Sequence, residues 1–192
     1  MWQLPYDHHQ GRLPLRAMLG AYLGIPADAV ALREGEHGRP YLDASHSQSL
    51  GFNWSHCGDR AIIALARGLV PGIDLERLRD RPRALAIAQR YFDAAETAQL
   101  ARQAPELRSH AFLELWTAKE AVLKALGRGL AFGLHRLSID PGEGQPQLRS
   151  LDGENVADWQ LHRLQPVAGH VAALAWRGEP RAICHWTLAA AD

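Results

Sequence analysis

Apolar positions first recur at helical spacing in "RLPLRAMLGAYLG", where Leu13, Leu15, Met18, Leu19, Tyr22 and Leu23 mark one face of a short helix that Gly24 and Pro26 stop. A polar, glycine-containing stretch follows to Leu50. Then "GFNWSH", "RAIIALARG" and "VPGIDLE" read as three strands that complete a first sheet, with Cys57-Gly58-Asp59 as the turn between the first two. From Asp80 to Leu126 the period becomes helical again, in "RPRALAIAQRYF", in "DAAETAQLARQ" with its acidic start, and in a long helix beginning near Pro105. After Gly129 the pattern returns to strands at "HRLSID", "QPQLRS", "DWQLHRL", "HVAALAWR" and "RAICHWTL". Helices followed by strands, twice over, predict an α+β protein of two related halves, residues 1–76 and 77–192, without a close internal sequence repeat.

Composition narrows where function must be sought. The 192 residues are 47% apolar and 22% charged, which is globular composition. Lys plus Arg equals Asp plus Glu at 21 each, so no overall field gathers nucleic acid or an anionic membrane, and a polyanionic ligand needs a local cluster. Cys57 and Cys184 have neither metal-ligand spacing nor the density of a stapled secreted scaffold, and read as free thiols of a reducing cytoplasm. The N-terminal stretch lacks a signal-peptide pattern and no apolar run is long enough to span a bilayer, so a cytoplasmic protein is expected.

Candidate chemistry begins at "PGIDLE". Asp74 and Glu76 are two apart in a strand and leave one face, while Ile73 and Leu75 point to the other. Two readings fit: a solvent-facing strand edge, or a pair of acids held together by a cation, for which oxygen-only ligands favour Mg²⁺ or Mn²⁺ over zinc. In "WTAKEAVLKALGRGL", Trp116, Glu120 and Lys124 repeat every four residues along one helix face, with Lys119 beside them. This is either an exposed Glu–Lys pair or a third acid set between two bases on a partly buried side. "FNWSHCGD" adds Ser55 and His56 at a strand end, where a structural role and an anion contact are both open. Arg12 and Arg16 at the first helix and Arg39 in "HGRPYL" read as solvated charges when taken alone. Gly127 and Gly129 read as a helix C-cap. Arg77, Arg79, Arg81, Arg83 and Arg90 form a basic run that faces water or steers an acidic protein partner. His8 and His9 are too near the terminus and too isolated to be metal ligands.

Taken together, "GRPYL", "FNWSHCGD", "GIDLE" and "FLELWTAKEAVLKALGRGL" resemble, in order and spacing, the 4′-phosphopantetheinyl transferases of the surfactin-synthetase-activating type. The resemblance covers residues 11 to 140 and the C-terminal strands by pattern only. It implies two pseudo-twofold-related α+β halves with coenzyme A and Mg²⁺ in the cleft between them. On that resemblance Asp74, Glu76 and Glu120 match the metal-binding acids and Lys119 and Lys124 the cleft lysines. Ser55 and His56 match a contact to the phosphates of the coenzyme, Arg12 an arginine near its 3′-phosphate, and Arg39 with Pro40 the nucleotide pocket. Asp74 would thus touch both metal and coenzyme.

The implied reaction transfers phosphopantetheine from coenzyme A to a serine of an apo acyl or peptidyl carrier protein and releases 3′,5′-ADP. Glu120 would take the serine proton, as base, metal ligand or both, and Lys124 would stabilise the departing phosphate. Docking of the carrier is expected near Arg77–Arg90. Family members usually carry a first strand and further basic residues ahead of the arginine matched by Arg12. Here eleven residues precede it, so the first sheet would need its edge covered by a C-terminal segment or a second copy. The rival expectations are a non-catalytic coenzyme A or carrier-protein binding module of the same fold and an unrelated Mg²⁺-dependent phosphodiesterase. Neither a G-x-x-x-x-G-K-[ST] nor a G-x-G-x-x-G stretch is present.

Overall fold

The computed structural model describes residues 1–46, 49–165 and 167–189. In chain order the elements are β1 (Trp2–Pro5), α1 (Leu13–Leu23), β2 (Leu32–Glu34), β3 (Pro40–Leu42), β4 (Leu50–Cys57), β5 (Arg60–Arg67) and β6 (Gly72–Arg77). Then come α2 (Ala84–Tyr91), α3 (Ala94–Arg102), α4 (Pro105–Leu126), β7 (Leu137–Asp140), β8 (Gln147–Leu151), β9 (Trp159–Leu164), β10 (His170–Arg177) and β11 (Trp186–Thr187). The architecture is α+β, with strand orders β11-β1-β5-β4 and β6-β10-β9 in the two larger sheets and two hairpins, β2-β3 and β7-β8.

Local chemistry accounts for the helix limits. Gly24 ends α1 in the left-handed region at φ 70°. Asp93 caps α3 by accepting from Ala95 N at 2.8 Å, and Glu96 reaches back to Asp93 N at 3.0 Å, a complete capping box. Pro105 opens α4 where its missing N–H costs nothing.

Three expectations need correction. β6, expected in the first sheet, pairs antiparallel with β10, so its Asp74 and Glu76 lie opposite Ala173 and Val171. Alternation of apolar and polar residues sets which face of a strand is buried but not which neighbour it takes. The polar stretch before Leu50 contains the β2-β3 hairpin, and Trp2–Pro5 forms a strand on β5. Finally, the last expected strand shortens to Trp186–Thr187, which runs parallel to β1 and covers its outer edge.

The two sheets meet through side chains. β10 takes one edge of β6. Along the other, Asn53 Oδ1, Ser55 Oγ and Cys57 Sγ of β4 accept from the backbone N–H groups of Ile73, Leu75 and Arg77 at 3.1, 3.3 and 3.4 Å. Alternate side chains of one strand thus satisfy alternate donors of another, of which those of Ile73 and Leu75 would otherwise be buried without partners. Ile73 and Leu75 face inward with Ile62, Ala64, Ala172 and Leu174 in a core between the sheets. The opposite face of β6 lies under α4. A Cβ on Gly72 would stand 2.0 Å from Ala121 O and 2.3 Å from Ala125 N, so only glycine allows this approach. By strand alternation Asp74 and Glu76 share that face.

Candidate active site

Close contact between α4 and β6 brings the predicted acids into one electrostatic neighbourhood. Lys124 Nζ lies 2.6 Å from Asp74 Oδ1 and also donates to Ile73 O at 3.2 Å and Ser55 Oγ at 3.3 Å. Ser55 donates its own proton to Asp74 Oδ1 at 3.0 Å while accepting from Leu75 N and Lys124. Its hydroxyl is therefore saturated, one donor and two acceptor sites. Asp74 Oδ2, in contrast, is buried without a hydrogen-bond partner.

Glu76 is half-buried, with Arg81 Nη2 at 3.5 Å and Arg79 Nη2 at 3.9 Å from its Oε2. The Cys57 thiol points at the same oxygen from 3.8 Å. Burial raises its pKa, and Asp74 adds to the rise against the two arginines. Burial also pushes Glu120 up to about 7, with Asp74 and Glu76 contributing and Lys124 opposing. Glu120 thus feels both β6 acids, and Glu76 feels Asp74, through a poorly hydrated seam, the condition under which carboxylates seek a cation.

Asp74, Glu76 and Glu120 supply only hard oxygen donors, and the buried, partnerless Asp74 Oδ2 fits a Mg²⁺ or Mn²⁺ ligand. Their ligand oxygens do not all fall within 4.8 Å of one another. Among the described residues the trio that does is the exposed Asp7, His8 and His9, so the two histidines are less isolated than expected.

The remaining candidates divide. Arg39, Pro40, Asn53, Trp54, Glu120 and Lys124 share the wall of an open groove of about 520 Å³. Arg39 lies in it but donates to Lys124 O at 2.7 Å, Phe52 O at 3.1 Å and Pro71 O at 3.4 Å. It ties the β3 segment to α4, β4 and the start of β6 rather than offering a free fork. His56, one residue from Ser55, takes the other face of β4 and packs against Tyr6 at 4.6 Å and Trp54 at 5.1 Å between ring centroids. Burial and the Lys124 charge lower its pKa. Arg12 is partly exposed and pairs with Glu34 at 2.5 Å.

Lys119 is the clearest correction. It is fully enclosed, its ammonium 2.7 Å from Glu96 Oε2 and donating to Leu134 O at 2.9 Å and Leu137 O at 2.6 Å. All three donors are used inside the second half, so Lys119 braces the core and does not line the groove. Sequence reasoning missed Glu96, its partner. It also missed Asn53 and Cys57, whose signal was the matching two-residue period of N-x-S-x-C and I-x-L-x-R.

Comparison with known proteins gives the family. A family model described as the 4′-phosphopantetheinyl transferase superfamily matches residues 71–175, and one described as 4′-phosphopantetheinyl transferase, N-terminal, matches residues 8–67. The chain is 34% identical over 164 residues to a putative 4′-phosphopantetheinyl transferase of Synechocystis sp., covering 83% of this chain and 66% of that protein. It is 34% identical over 160 residues to a 4′-phosphopantetheinyl transferase of Bacillus pumilus, covering 81% and 65%. The 4′-phosphopantetheinyl transferase HetI of Nostoc sp. is 34% identical over 169 residues, covering 88% and 69%. With more than half its length matched by the first model, this chain belongs to the 4′-phosphopantetheinyl transferase superfamily. It spans about two thirds of the length of these curated relatives. The two models part between residues 67 and 71, so β6 falls within the residues matched by the first, together with its partner β10 up to residue 175.

Proposed function

We propose that this protein transfers 4′-phosphopantetheine from coenzyme A to a serine of an apo acyl or peptidyl carrier protein, with Mg²⁺ or Mn²⁺, and releases 3′,5′-ADP. The observation that carries the reading is the convergence of Glu120, Asp74 and Glu76 on one seam, where the first has a carboxyl pKa of about 7 and the second an unpartnered buried oxygen. Asp74, Glu76 and Glu120 are the residues that would hold the metal. When bound, a divalent ion offsets charge on the pyrophosphate and aligns it for in-line attack.

The chain's own groups do the rest. Glu120 accepts the proton of the attacking serine, since a carboxylate near neutrality is matched to that task at physiological pH. Lys124 lines the groove with its ammonium against Asp74 and lends its positive charge to the phosphate that departs. Arg39 and Pro40 shape the groove wall for the nucleotide, with Arg12 and His56 on the same half of the molecule. An acidic carrier is steered by the basic run from Arg77 to Arg90.

Among the described residues no helix is long and apolar enough to cross a membrane. Both cysteines are free thiols, which suits a reducing cytoplasm. The test is incubation of the purified chain with coenzyme A, Mg²⁺ and an apo carrier protein, read by intact mass. A transferase adds one phosphopantetheine to the carrier. A binding module leaves its mass unchanged.

A further inference from the structure

The two acids on β6 have unequal counter-ions. Asp74 is gripped by Lys124 at 2.6 Å, and the ammonium is itself anchored by Ile73 O and Ser55 Oγ. Around Glu76, Arg81 stands 3.5 Å and Arg79 3.9 Å away, both longer than the roughly 2.7–2.9 Å of a charge-assisted hydrogen bond. Arg81 approaches with one arm of its fork, and its Nε is buried with no partner. Its backbone is nevertheless fixed, because Arg81 N donates to Ser109 Oγ at 2.9 Å and that hydroxyl donates to Asp80 at 2.9 Å. A guanidinium with an anchored backbone, a long single contact and an unmet donor leaves its carboxylate at little cost.

We propose that Arg81 is the exchangeable counter-ion of Glu76: it neutralises the carboxylate until a divalent cation takes it, and so sets how tightly the site holds that cation. This inference rests on the metal reading above. Arg79, more exposed and farther away, contributes less. Lys124, with three acceptors, stays in place.

Mn²⁺ titration of the full chain at low ionic strength, read by the electron paramagnetic resonance of free Mn²⁺, tests this without coenzyme, carrier or turnover. Arg81→Met is expected to bind Mn²⁺ about threefold more tightly, the scale of a partly exposed ion pair. Arg81→Gln should move in the same direction. Arg90→Met, from the same basic run but with its guanidinium over the Tyr91 ring, should leave affinity unchanged. In a Glu76→Gln background the gain from Arg81→Met should vanish. An equal gain in both backgrounds would reduce Arg81 to long-range repulsion and overturn the exchange, as would unchanged or weaker binding by both Arg81 variants. A wild-type chain that takes up no Mn²⁺ would instead sink the metal reading itself.

Discussion

Lys119 and Glu96 form an ion pair at 2.7 Å in which neither side chain has more than 2% of its surface exposed. Burial pulls the lysine pKa down and the carboxyl pKa up, each opposed by its partner. Glu96 also accepts from Asp93 N and Ile139 N, so this one pair ties α3, α4 and β7 together. Lys119→Ala strands a buried carboxylate and two carbonyls. The expected cost is about 3–5 kcal/mol of stability, measured by urea unfolding. The fraction that remains folded should keep its coenzyme A affinity, in contrast to the cleft role the sequence motif suggests.

Ser55 is expected to couple stability to the site. Ser55→Ala removes the donor to Asp74 and the acceptor for Leu75 N and Lys124, for about 1–3 kcal/mol. Transfer activity should fall further than coenzyme A binding, because Asp74 and Lys124 lose their shared anchor. Thermal melting and calorimetric titration separate the two effects.

The long helix shows what the sequence could and could not reveal. The Trp116, Glu120 and Lys124 row was legible from its four-residue spacing, and the acidic start of "DAAETAQLARQ" marked the beginning of α3, where the structure shows Asp93 and Glu96 closing a capping box. Lys119 was misread because it lies one position off that row. A turn of about 100° per residue carries it into the buried set with Leu115, Val122 and Leu123. The strand that bears Asp74 and Glu76 was evident, but its partner was not, since alternation is the same in either sheet. The ladder from Asn53, Ser55 and Cys57 left only a matching two-residue period on each strand, which does not say that these two strands meet edge to side chain.

Glu120 offers a direct titration. Side-chain carboxyl NMR in a metal chelator should find its pKa near the value of about 7, well above the ordinary 4.5. A raised folded pKa means that the native state binds the proton more tightly than the unfolded chain. Its contribution to stability is therefore complete below about pH 4.5 and is lost as pH climbs through 7. Adding Mg²⁺ should lower the titration midpoint, and Glu120→Gln should flatten the stability slope across this window.

Carrier docking is best tested at Arg83 and Arg90, because Arg79 and Arg81 also face Glu76. Neutralising Arg83 and Arg90 together should raise KM for the carrier several-fold, with coenzyme A binding and the low-salt kcat nearly unchanged. Equal losses for both substrates would remove this surface from carrier recognition.

The central claim is that acids from β6 and α4 act as one transfer site. Its most direct test is the intact mass of an apo carrier protein after incubation with coenzyme A, Mg²⁺ and either wild-type chain or Glu120→Gln, with folding of both checked by circular dichroism. The expected result is one added phosphopantetheine with wild type, and none with the variant or in excess chelator. An unmodified carrier with folded wild type, or full modification by Glu120→Gln, would contradict it.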